Sequence, residues 1–219
     1  FTAPVMFAYA SHFLLFHRVT GRSIELLQRA FPRRFSAARD QVVLEASDRR
    51  GATVLERFVE AGYLESAPHV AHRDHAGWVV PAGMRDLLAH ELLRYGSVNH
   101  DEGRLHESVS ASDALLGFRA PLLETLKSAA ADTADDEPLI GELAVQLRFA
   151  SDWAELEQLW YRYGMRIMVT DPLATHTAFG ALPEPVLHRF PGLSLAHVYV
   201  ESTSVMQRVR DLPEGEDLD

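Results

Sequence analysis

The stretch Arg50–Leu93 does most to limit what this chain can fold into. It reads RGATVLERFVEAGYLES, then APHVAHRDHAG, then WVVPAGMRDLLAHELL. Val54, Leu55, Phe58 and Val59 recur at spacings of three and four, which places them on one helical stripe. Gly62 supplies the left-handed stop. Leu64 opens a short strand, Pro68 to Gly77 form a polar tip, and Trp78-Val79-Val80 form the return strand. Pro81 suits the first position of a helix because its φ is already set. Met84, Leu87, Leu88 and Leu92 then face a core. Helix, strand, tip, strand, helix is the order of a winged helix.

The flanking sequence is helical in pattern. Residues 1–20 form an apolar N-terminal helix around Phe7–Phe16, too short and too broken by Pro4, His12 and His17 to span a bilayer. Ser23 can cap SIELLQRAF, with Ile24, Leu27 and Phe31 inward. Pro32 stops that helix, and Ser36 can cap AARDQVVLEAS. The winged-helix domain is expected over 21–96, and the polar linker Gly96–Gly103 marks a boundary. Beyond it the period stays near 3.6. Leu105–Leu116 and Pro121–Ala130 read as a helical pair, Leu139–Phe149 as a helix with Leu143, Leu147 and Ala150 inward. Asp152-Trp-Ala-Glu155 starts another helix in the manner of a capping box, and Gly164 ends it. Met165–Val169, Leu173–Leu182, Glu184–Phe190 and Leu193–Val200 follow between prolines and glycines. Residues 104–210 therefore read as stacked α-hairpins of a repeat array, and 211–219 as an acidic tail. The expected fold class is mainly α, a winged-helix domain with a small β-hairpin wing followed by an α-helical, TPR-like repeat array.

Charge divides the chain. Residues 1–100 carry twelve arginines and ten acids, net +2, whereas 101–219 are net −12. An acidic second half repels nucleic acid. With no cysteine among the 219 residues, disulfides and thiolate metal sites are excluded. Lys127 is the only lysine and no Gly-Lys-Ser/Thr surrounds it, which rules out a P-loop.

Few residues carry chemistry. His69, His72 and His75, three apart with Asp74 beside them, could converge on a metal ion, but a His-rich polar wing tip is the simpler reading. Ser194 in GLSLA only faintly echoes a nucleophile elbow, since Pro191 precedes it where a strand is needed. No catalysis and no cofactor are expected. Nine arginines against five acids in residues 18–57 raise DNA binding, yet Glu56 and Glu60 lie on the outer face of the helix that would enter the groove. Trp153, Trp160, Tyr161, Tyr163 and Tyr199 could make a groove for a peptide or small molecule, with Trp153, Trp160 and Tyr163 the expected ligand or partner surface, although aromatics at helical spacing more often pack inside.

Three stretches together resemble a known family. GATVLERFVEAGYLE…GWVVPAGMRDLLAHEL resembles the winged-helix segment of the large ATP-dependent LuxR-type regulators, the maltose-activator-like branch of the signal-transduction (STAND) ATPases. LAVQLRFASDWAELEQLWYRYGMRIM is similar to their first helical repeat, and FGALPEPVLHRFPGLSLAHVYV to the next. The resemblance implies a middle segment of a multidomain bacterial regulator, flanked by a nucleotide-binding ATPase and a C-terminal DNA-binding helix-turn-helix. It implies a cytoplasmic, non-catalytic role in transmitting the binding of an inducer or partner between domains. Arg49, Arg50 and Arg57 are then the expected interdomain contacts, and no direct DNA binding or membrane contact follows. The competing expectation is a free-standing winged-helix DNA-binding regulator, PadR- or MarR-like, with a helical ligand-binding or dimerisation domain.

Overall fold

The structure, a computed structural model, describes residues 3–35, 50–66, 77–99, 111–132 and 137–210. It is mainly helical, with one two-stranded antiparallel sheet among the described residues. The chain divides into two compact units, residues 1–135 and 136–219. That division falls at Asp135, well past the Gly96–Gly103 linker that polarity singles out. The linker begins as helix, and the helix beyond it packs back on the first unit.

The first unit starts with α1 (Ala3–Phe13), whose Tyr9, Ala10 and Phe13 are buried. Val19 then pairs with Trp78 in an isolated antiparallel bridge, its N–H and carbonyl both bonded to Trp78 backbone at 2.9 and 3.0 Å. Next comes α2 (Ser23–Ala30), with Ile24 and Leu27 inward. Ser23 is not its cap. Arg22 occupies that position, and Ser23 Oγ instead accepts the Thr20 N–H at 2.9 Å. A helical turn at 32–35 follows and buries Phe35. The helix expected over Ala37–Ser47 lies outside the described residues.

Helix α3 (Arg50–Glu60) buries Val54, Leu55 and Phe58. Its stop comes where the glycine predicts, with Gly62 at φ 75°. The short strands β1 (Glu65–Ser66) and β2 (Trp78–Val79) pair in the register Glu65 to Val79 and Ser66 to Trp78. Helix α4 (Ala82–Asn99) buries Leu88 and Leu92, but Leu87 is exposed and not a core residue. Leu87 and Leu88 are adjacent, about 100° apart on the helix, and here the seam takes Leu88 and leaves Leu87 on the solvent side. The expected pair of helices around Pro121 is instead one helix, α5 (Ala111–Asp132), with Pro121 inside it. Pro121 cannot donate the hydrogen bond to the Gly117 carbonyl one turn earlier, and its ring crowds that carbonyl, yet the helix continues through it. Leu122 and Leu126 of α5 are fully buried, and α5 packs on α2 and α4.

The described residues of the second unit are helical apart from short connections. Helix α6 (Glu137–Phe149) is its centre, buried on all sides from Leu139 to Leu147, and packs on α7 (Trp153–Thr170) and α8 (Pro172–Phe179). Asp152 caps α7, accepting the Glu155 N–H at 3.4 Å. Gly164 does not end α7. The helix runs on to Thr170, and a Cβ at Gly164 would collide with the Trp160 indole. Glycine is used here for close packing, not for a turn. Asp171 joins α7 to α8. It is buried, its N–H bonds to Ile167 O at 2.7 Å, and its Oδ1 accepts the Ala174 N–H at 3.1 Å. The short α9 (Glu184–Arg189) and the long α10 (Pro191–Arg210) complete the unit. Ala150 is exposed, and Ser194 sits within α10, far from strand geometry.

Candidate functional site

The sequence singled out residues in four places, and the fold does not gather them into one site. Arg57 is exposed on α3, between Glu56 and Glu60, which are also exposed. Arg50 opens the same helix, but its side chain lies outside the description, and Arg49, His69, His72 and His75 lie outside the described residues altogether. Among the described residues, no three His, Asp or Glu side chains cluster closely enough to hold a metal ion. Of the three aromatics read as a surface, Trp160 is core. It is buried against Phe179, ring centroids 5.0 Å apart, and lies over Gly164. Trp153 and Tyr163 are half-buried and remain within reach of solvent.

Trp153 belongs to a small polar–aromatic cluster. The Arg148 guanidinium lies 5.7 Å from its ring centroid, and Arg148 Nη2 donates to the Ala181 carbonyl at 2.9 Å. Ala181 has φ 45°, an uncommon backbone for alanine. Burial lowers the Arg148 pKa, and no carboxylate contributes to the shift. This arrangement ties the end of α6 to the turn after α8. Tyr163 carries Arg162 at 5.1 Å over its ring.

In the first unit the notable groups are internal. His12 is fully buried, with Phe31, Phe35 and Phe118 edge-on at 5.0, 5.1 and 6.0 Å. Its Nδ1–H donates to Ala8 O at 2.9 Å. Burial dominates and pushes its pKa down to about 4, against the raising effect of the Ala8 bond. Glu91 on α4 is bridged by Arg34 Nη2 at 3.2 Å and Arg94 Nη2 at 2.9 Å, and its carboxyl is held below the usual range, first by the Arg94 hydrogen bond. Arg119 donates to Leu15 O at 3.2 Å and so fastens α5 to the turn after α1. These are fastenings of the fold. A lone histidine in an apolar stretch is the only sign of the first, and the others need partners 57 and 104 residues away.

One set of exposed apolar side chains was read from the sequence only in part, through Tyr161 and Tyr199. Tyr161, Met165 and Val169 on α7 and Leu195, Val198 and Tyr199 on α10 are all exposed. The spacing of four in the first set was the available signal, but each residue also fits a neighbouring core stripe. No protein-family model matches the chain, and no curated protein or solved structure matches it. Among the described residues no helix is long and apolar enough to cross a membrane.

Proposed function

We propose that this chain is a non-catalytic regulatory segment of a bacterial transcriptional regulator, relaying the binding of an inducer or partner between domains in the cytoplasm. The observation that carries the reading is the charge on α3. The order of helix, bridge residue, two helices and a strand pair supports a winged helix, in which the helix before the wing is the one that reads the major groove. Here that helix turns Glu56, Arg57 and Glu60 to solvent. Among the described side chains of this helix, which do not include that of Arg50, two carboxylates stand beside one guanidinium, a balance that opposes a phosphate backbone and suits a protein neighbour. The packed helices of the second unit support a TPR-like role as a receiving surface. Arg57 is the contact we assign to the neighbouring domain, and Trp153 and Tyr163 are assigned to the receiving surface.

A second reading, a free-standing winged-helix DNA-binding regulator, draws support from Arg22, Arg29 and Arg33, exposed at and after α2. Fluorescence anisotropy on a mixed-sequence duplex separates the two. A regulatory segment shows no saturable binding at about 50 mM salt up to roughly 10 µM protein. Tight binding that weakens on the order of a thousandfold by about 200 mM salt would establish the DNA reader instead.

A further inference from the structure

We draw no further inference here: the strongest candidate, the surface row of exposed apolar side chains Tyr161, Met165 and Val169 along α7, carries nothing because nothing in the structure shows what covers it.

Discussion

His12 shows what one buried side chain imposes on the whole first unit. Its folded pKa lies near 4, below the ordinary 6.5, so the folded state binds fewer protons than the unfolded chain wherever the two differ. Its destabilising effect is absent above about pH 6.5 and grows as pH falls toward 4, where it reaches about 3 kcal/mol. Urea titrations from pH 7.5 to 4 should record that loss, and His12→Phe should flatten it. Gly164 makes the opposite point, that a favourable local change can be unfavourable overall. Alanine is a better helix former than glycine by about 1 kcal/mol, yet its methyl would strike the Trp160 ring. Moving an indole wedged against Phe179 costs roughly 1–3 kcal/mol. Gly164→Ala is therefore expected to lower the melting temperature, and a rise would mean that the indole relocates freely.

Between elements, single residues set how helices join. Asp171 ends α7 and begins α8 with one buried carboxylate, Oδ1 on the Ala174 N–H. Truncating it strands that donor in the interior, and Asp171→Ala should cost about 1–2 kcal/mol in chemical denaturation, with Asp171→Asn milder. The methyl group of alanine cannot accept a hydrogen bond, while the amide oxygen of asparagine can. Glu91 has a similar place in the first unit, joining the turn at 32–35 to α4 through Arg34. Caps and glycine stops of this kind were legible in advance at Asp152 and Gly62, where the partner groups lie within three residues. They were misread at Ser23, whose hydroxyl turns back to the Thr20 N–H instead of forward into the helix, and at Gly164, where a packed ring decides.

For the whole molecule, the question is which surface meets which partner. If the acids of α3 keep this helix off DNA, then Glu56→Lys with Glu60→Lys should create weak, salt-sensitive duplex binding where the parent shows none. Anisotropy at about 50 mM salt should read at least a tenfold gain. No gain would mean that the helix is shielded by something other than its charge. The division at Asp135 also belongs to this scale. Polarity in the 96–103 stretch suggested a boundary, but α5 returns Leu122 and Leu126 to the first unit.

The sequence by itself determined most of the local structure. Hydrophobic spacing of three and four, with proline and glycine punctuation, is read by the backbone over a few residues, and so α2, α3, α4, α6 and α7 begin close to where the pattern puts them. It also excluded thiolate and P-loop chemistry through residues it lacks. Only the tertiary structure decided that Trp160 is core and Tyr161 is surface, since the two are adjacent and either could face α8. It decided as well that Val19 pairs with Trp78 across 58 intervening residues. Burial and pairing at such separations depend on which faces meet, and a linear pattern carries no record of that meeting.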